Sequence, residues 1–259
     1  MEMNLHGKVA LITGGGRGLG RVIALTFAKA GADLVLISRS QEALEFVAAE
    51  AEKLGRKVLF QAGHATEEET VKKLVNNAID KFGKIDVLVN NVGIAGPIAP
   101  ITDISLAGWE ETIAINLTSY FLFCKYVIPI MKKQQSGSII NISSLAGLKG
   151  HINRTPYCAS KWAILGMNRA IAMEVGPDNI RSNVVCPGAV AGERFTGILH
   201  QRAKDHGVTF DEMVKITSKD TPLRRLIDPE EIAATVLFLA SDAASGISGE
   251  EILVSGGRR

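Results

Sequence analysis

Lys8-Val9-Ala10-Leu11-Ile12-Thr13-Gly14-Gly15-Gly16-Arg17-Gly18-Leu19-Gly20 joins a short apolar run to the start of a helical pattern, and its reading decides the fold. Residues 8–12 read as a buried strand, and residues 20–30 place apolar side chains at helical spacing. Glycines between the two let the backbone turn sharply and approach a pyrophosphate, whose charge is met by free N–H groups at the helix start. The spacing is G-x-x-x-G-x-G rather than G-x-G-x-x-G. Gly20 is followed by Arg21 and Val22, where a Walker P-loop needs Lys and Ser/Thr, so that loop is excluded. A glycine turn serving only tight packing is the competing reading of this stretch taken alone.

The same rhythm continues outward. Strands are expected at 34–37, 57–60, 86–89, 138–142, 181–185 and 252–254. Helices are expected between them, through Ala43, Val47 and Leu54, over 67–82, 117–132 and 156–175, and over 229–239. Strands that are apolar on both faces, each followed by a helix, predict a parallel sheet covered on both sides: a doubly wound α/β domain. No linker divides the chain, so residues 1–259 are read as one domain. The polar stretch 189–220 interrupts the rhythm and carries His200, Arg202, Lys204, Asp205 and His206. An insertion after a strand's carboxyl end is where such folds build a substrate-binding lid.

Composition narrows the function classes. The chain has 259 residues, 46% of them apolar, with 29 basic and 27 acidic side chains and a formal charge of +2. That length and apolar share build a sizeable core, and the balanced charge argues against nucleic acid as a partner. No apolar stretch approaches the roughly 18 residues of a membrane span, and the N-terminus lacks a secretory pattern, so no membrane partner is expected. Cys124, Cys158 and Cys186 are odd in number and far apart, which suits a reduced, cytoplasmic protein without a disulfide framework. His6, His64, His151, His200 and His206 show no ligand spacing, and no metal is expected.

The end of the second strand bears on the choice of nucleotide. A carboxylate there would take a ribose 2′-OH and repel a 2′-phosphate. The strand ends instead in Ile37-Ser38-Arg39, while Asp33 stands at its entry. Arg39, helped by Arg17 in the glycine turn, could clamp a phosphate. NADP(H) is therefore favoured, and NAD(H) stays open.

Tyr157-Cys158-Ala159-Ser160-Lys161 puts a phenol and an ammonium four residues apart on one face of a predicted helix. A free phenol titrates near pH 10, and a neighbouring cation lowers that value, which suits Tyr157 to acid/base work. Ser143-Ser144 closes the strand before it, so a hydroxyl points at the crevice above the glycine turn. With Ser144 bonding a carbonyl oxygen and Tyr157 delivering a proton, a hydride could arrive from a nicotinamide.

At this point the sequence resembles the short-chain dehydrogenase/reductase family, nearly from end to end. Thr13, Gly14, Gly18 and Gly20 match its cofactor turn, and Asn90-Asn91-Val92-Gly93 its Asn-Asn-Ala-Gly motif with Val92 for Ala. Asn116, Ser144, Tyr157 and Lys161 match its catalytic tetrad. Asn183 to Gly188, Thr221-Pro222-Leu223, Pro229 to Ala233 and Ser255-Gly256-Gly257 also follow the family.

The resemblance implies a single Rossmann-type domain with a seven-stranded parallel sheet. Tyr157 would be general acid in reduction and base in oxidation. Lys161 would tune it and hold the nicotinamide ribose, Ser144 would orient the carbonyl, and Asn116 would hold a relay water. Cofactor contacts are expected from Gly14, Gly16, Arg17, Gly18, Leu19, Gly20, Ser38, Arg39, His64, Ala65, Asn91, Gly93, Tyr157, Lys161, Pro187, Gly188 and Val190. His64 departs from the usual Asp at the adenine, and Ala189-Val190-Ala191 lacks the Thr common after the Pro-Gly turn.

The expected function is hydride transfer between NADP(H) and a small-molecule alcohol or carbonyl. An NAD-dependent alcohol or sugar dehydrogenase, a 3-oxoacyl reductase, and a non-catalytic nucleotide sensor or scaffold are the alternatives. Gln135 and Asp178 stand where relatives that dock acyl carrier protein are basic, which weakens the 3-oxoacyl reading. His151, Arg154 and Arg194 could recognise an anionic group. The helix carrying Tyr120-Phe121-Leu122-Phe123-Cys124 and Tyr126-Val127-Ile128 is apolar almost all round. By the resemblance, a second copy covers it in a homodimer or homotetramer.

Overall fold

β-Branched and leucine-rich runs form β1 (Val9–Thr13), β2 (Asp33–Ser38), β3 (Val58–Ala62), β4 (Val87–Asn90), β5 (Gly137–Ile142), β6 (Ile180–Pro187) and β7 (Glu251–Val254). They were obtained in a computed structural model that describes residues 3–219 and 221–258, without the side chains of Glu193, Arg194, Ile198 and Arg202. The seven strands are parallel, in the order β3-β2-β1-β4-β5-β6-β7. Chain progression reverses between β1 and β4, so a crevice opens above the carboxyl ends of that pair. The expected Rossmann-type sheet is present.

Alternate side chains of β1 feed opposite layers, as a pleated strand requires. Ala10 and Ile12 pack with Ile23 and Phe27 of α1 (Gly18–Lys29), Leu44 and Val47 of α2 (Gln41–Lys53), and Ile232, Val236 and Leu239 of α9 (Pro229–Ala240). Val9 and Leu11 pack on the other face, with Val71 and Leu74 of α3 (Glu68–Phe82), Phe123 and Val127 of α5 (Ser119–Gln134), and Ile171 and Val175 of α6 (Thr155–Val175). Burying each such side chain contributes about 1.5–3 kcal/mol.

Two regions differ from the sequence expectation. Residues 90–116 carry α4 (Leu106–Ile113) followed by a π-helical segment, Ala114–Thr118, that runs into α5. Periodicity is silent there because α4 buries only Thr112; its start is set by Ser105, whose hydroxyl accepts from Gly108 N–H. The continuous run Leu106–Gln134 is long and apolar enough to cross a membrane by length and composition. Its inner face is nevertheless committed to the sheet, with Tyr120, Phe123, Val127 and Met131 all fully buried.

The stretch 189–220 is a pair of helices, α7 (Glu193–His206) and α8 (Phe210–Ser218). Leu199, Ala203 and Met213 make a small core between them, and a reciprocal Thr209–Glu212 capping box starts α8. Asp220, at the end of the expected insertion, lies outside the described residues.

Candidate active site

The glycine turn is tied to the strands on both sides. Gly14 and Gly15 N–H donate to Ile37 O of β2, at 2.8 and 3.2 Å. Thr13 Oγ1 accepts from Asn91 N–H and Val92 N–H at 2.9 and 3.1 Å, while Asn91 Nδ2 donates to Thr13 O at 2.9 Å. Gly14 (φ 69°) and Gly18 (φ 52°) occupy the left-handed region. A Cβ on Gly20 would lie 2.1 Å from Gly14 O, and one on Gly16 would lie 2.8 Å from Ser38 Oγ. Gly20 therefore packs directly on the Gly14 backbone, and the glycines keep Cβ atoms away from the turn at the N-terminus of α1. Such a surface fits a dinucleotide pyrophosphate.

Next to it, β4, β5 and α6 assemble a polar corner. Lys161 is buried, and its Nζ donates to Ile142 O at 2.9 Å. The same carbonyl accepts from Tyr120 Oη at 3.0 Å. Burial holds the Tyr120 phenol well above its usual pKa, with the nearby Tyr157 adding to the shift, so Tyr120 stays a donor. Lys161 Nζ lies 5.9 Å from the centre of the Tyr157 ring, which is half-buried at the crevice.

Asn116 is placed by the π-helical segment. Its Oδ1 accepts from Ile94 N–H at 2.8 Å, and its Nδ2 donates to Ile94 O and Ser160 Oγ, both at 3.1 Å. A Cβ on Gly93 would stand 3.2 Å from Asn116 Oδ1 and 3.6 Å from Lys161 Nζ, so this glycine keeps the corner open. Ser144 follows β5; its Oγ accepts from Ala146 N–H at 3.2 Å. Its neighbour Ser143 donates to Lys161 O at 2.9 Å, which ties the serine corner to α6.

Sequence reading places Thr13 in the cofactor turn, Ser143 at the strand end and Tyr120 on an apolar helix, but not the contacts that Thr13, Tyr120, Ser143 and Ser160 make here. Each acts through a contact across 18 or more residues or through the far side of a helix, which local spacing does not reveal. A buried amide chain beneath the site was also unforeseen. Asn90 Nδ2 donates to Asn141 Oδ1 (2.9 Å), Asn141 Nδ2 to Asn168 Oδ1 (3.2 Å), and Ser182 Oγ to that last oxygen (2.7 Å). These bonds lock β4, β5, α6 and β6 together.

The other expected cofactor residues ring the crevice. Ser38 ends β2 against the turn, with Arg39 and Arg17 exposed beside it. Leu19 lies in α1's first turn and packs on the core. His64 is exposed after β3, and Ala65 packs behind it. Pro187 ends β6, Gly188 N–H donates to Val254 O at 3.0 Å, and Val190 bridges to Ile227. The Arg194 side chain lies outside the described residues. Among the described residues, no three His, Cys, Asp or Glu side chains gather as a metal site.

The thiols differ sharply in access. Burial pushes Cys124 up to about 12 and Cys186 up to about 11, whereas Cys158 is half-buried beside Tyr157. A thiol-disulfide reagent at neutral pH should titrate Cys158 alone in the native protein and all three cysteines after unfolding. Rapid native reaction of a second thiol would contradict this burial.

A switch-point crevice over a glycine cradle, with a tyrosine and a buried lysine on its rim, defines a nicotinamide-dinucleotide class of oxidoreductase fold. Residues 14–259 match the family model described as enoyl-(acyl carrier protein) reductase. The chain is 37% identical over 255 residues to 3-oxoacyl-[acyl-carrier-protein] reductase FabG of Thermotoga maritima, covering 98% of this chain and 99% of that protein. It superposes on L-sorbose reductase from Gluconobacter frateurii, complexed with NADPH and L-sorbose, with a TM-score of 0.94 and 30% identity over 99% of this chain and 98% of that one. It also superposes on 7α-hydroxysteroid dehydrogenase, complexed with NADH and a 7-oxo bile acid, with a TM-score of 0.88 and 36% identity over 99% of this chain and 96% of that one. The chain belongs to the short-chain dehydrogenase/reductase family, and its relatives are oxidoreductases that use nicotinamide cofactors.

Proposed function

We propose that this protein interconverts a small-molecule alcohol and its carbonyl with NADP(H) as the hydride partner. The observation that carries the reading is Lys161, a cation buried to 4% exposure beneath the Tyr157 ring. Burying an ammonium is costly, and a packing role would be served as well by an apolar chain. When bound, the cofactor supplies or accepts the hydride. Gly14, Gly16, Gly18 and Gly20 hold its pyrophosphate, with Leu19 and Asn91 behind them. Gly93, Pro187, Gly188 and Val190 border its nicotinamide end, and His64 and Ala65 its adenine.

The proton is handled by the chain. Ser144 Oγ donates to the substrate oxygen and orients it. Tyr157 Oη gives its proton to that oxygen as the carbonyl becomes an alcohol, and takes it back in oxidation. Lys161, anchored on Ile142 O and buried against the Tyr157 ring, stands beside the proton donor and reaches the ribose. Asn116 braces Ile94 and Ser160 around this pair and borders the relay water. The helices α7 and α8, joined by a small core of Leu199, Ala203 and Met213, cover the substrate.

NADP(H) is preferred because β2 ends on a serine and an exposed arginine instead of a carboxylate. Arg39 and Arg17 then meet the 2′-phosphate. A free small molecule is favoured over an acyl carrier protein: Gln135 Nε2 bonds Asp178 at 3.1 Å, and Asp178 also holds Lys132 at 3.0 Å. That surface spends its nearby cation internally and offers little to an acidic partner. Phe121 on α5 and Trp162 and Met173 on α6 are exposed, and a second copy in a dimer or tetramer covers them. Three free thiols suit a reducing cytoplasm.

The test follows nicotinamide absorbance over a panel of ketones and alcohols with both cofactors. NADPH-dependent carbonyl reduction is expected, and no turnover with either cofactor sinks the reading. In Arg39→Asp the KM for NADPH should rise by about 10–100-fold, the loss of one charge-assisted phosphate contact, far more than that for NADH. Equal changes for the two cofactors would mean that Arg39 meets no phosphate.

A further inference from the structure

We infer that Tyr120 is a positioning residue for Lys161: its hydroxyl and its ring fix where the ammonium stands beside the proton donor. The inference rests on the reading of Lys161 as the group that attends Tyr157 and the cofactor ribose. It adds to that reading a residue from a different helix.

The acceptor that both side chains use lies where the sheet opens. β4 ends at Asn90, opposite Asn141 of β5. The next two N–H groups of that chain, those of Asn91 and Val92, donate to Thr13 Oγ1. Ile142 O, one residue past the last β4–β5 pair, is met by two side chains. Tyr120 Oη donates to it from α5 at 3.0 Å, and Lys161 Nζ from α6 at 2.9 Å. A carbonyl oxygen has two lone pairs, so these donors share it and constrain each other. Lys161 Nζ also lies 5.5 Å from the centre of the Tyr120 ring and 5.9 Å from that of Tyr157, within cation–π range of both. Tyr120 therefore meets the ammonium twice, through the shared acceptor and through its ring.

The helix that carries Tyr120 makes this contact part of a larger brace. Asn116 and Tyr120 stand four residues apart, where the π-helical segment runs into α5. Asn116 Nδ2 donates to Ser160 Oγ, and Tyr120 reaches the acceptor of the next residue of α6, Lys161. Packing alone does not call for the hydroxyl. Tyr120 is fully buried among Ile164, Leu165, Val184 and Cys186, a layer in which a phenylalanine ring fills the same space. A buried hydroxyl costs free energy unless it is bonded, and here its bond goes to the acceptor of a buried cation.

Tyr120→Phe keeps the ring and removes only the sharing. Ile142 O retains Lys161 as a donor, so no acceptor is orphaned, and Lys161 Nζ is drawn toward a carbonyl it no longer shares. Turnover as kcat/KM should fall by about 3–10-fold and the dissociation constant for NADPH should rise by about the same factor, the size of one lost hydrogen bond.

The test is a double-mutant cycle over wild type, Tyr120→Phe, Lys161→Met and the double variant. It reads kcat/KM on the best ketone found, NADPH affinity by nicotinamide fluorescence, and the denaturant midpoint. Should Lys161→Met not fold, Lys161→Gln, which can still donate to Ile142 O, takes its place. If Tyr120 acts through Lys161, its substitution should change kcat/KM less than about twofold once Lys161 is gone. A merely structural Tyr120 lowers the midpoint while the folded protein keeps its turnover, or weakens turnover by the same factor in both backgrounds. Either result overturns the inference while leaving the proposed reaction standing. If the wild type reduces no ketone, the proposed reaction fails by itself, and the same cycle in NADPH affinity decides the role of Tyr120. Failure to bind NADPH removes both.

Discussion

Tyr157→Phe is expected to lower kcat by about 10²–10⁴-fold, the range for removing a positioned general acid or base. Only the phenolic oxygen is lost. The ring itself remains, with the Arg154 guanidinium 4.6 Å and Lys161 Nζ 5.9 Å from its centre. Cofactor affinity, read by nicotinamide fluorescence, should change far less than turnover, because the cradle at residues 14–20 is untouched. This separation of binding from chemistry distinguishes an enzyme from a nucleotide sensor built on the same fold. Undiminished turnover in the variant would reject Tyr157 as the proton donor.

Gly20→Ala should have the second large effect, on cofactor binding and on stability together. The added Cβ would sit 2.1 Å from Gly14 O and 2.6 Å from Asn91 Nδ2. Both neighbours belong to the turn and its support, so relief must come from moving the cradle. Overpacking of this kind costs about 1–3 kcal/mol, read as a lowered denaturant midpoint. Displaced N–H groups should weaken cofactor binding by about 100-fold, equivalent to about 2.7 kcal/mol. Gly166→Ala provides the contrast, since a Cβ there meets nothing within 4 Å in the middle of α6. That variant should bind cofactor normally and gain up to about 1 kcal/mol of helix stability. Normal binding by Gly20→Ala would show that the turn holds no pyrophosphate.

Much of the architecture was legible because parallel strands buried on both faces leave an unmistakable mark. Leu34-Val35-Leu36-Ile37 and Ser138 to Ile142 read as strands and are strands, within a residue or so at each end. Helix α4 was not legible, since only Thr112 of its eight residues is buried and its apolar side chains face outward. The π-helical turn at Asn116 also escaped, because one extra residue in a helical turn alters no composition and barely shifts a periodic pattern. The helices at 193–206 and 210–218 look like a polar insertion in sequence, because their shared core is small.

From the chain alone came the sheet, the glycine turn, the pairing of Tyr157 with Lys161 four residues on, and the lack of a carboxylate at the end of β2. Those properties depend on neighbours in sequence, where strand alternation, helix pitch and backbone freedom act directly. The tertiary structure alone decided which distant groups complete them. It put Tyr120 and Lys161 on the same Ile142 carbonyl, Asn116 between Ile94 and Ser160, and Arg154 across the Tyr157 ring. Contacts of that kind arise where separate loops meet at strand ends, and their distances follow from packing of the whole sheet and its covering helices, which no local pattern encodes.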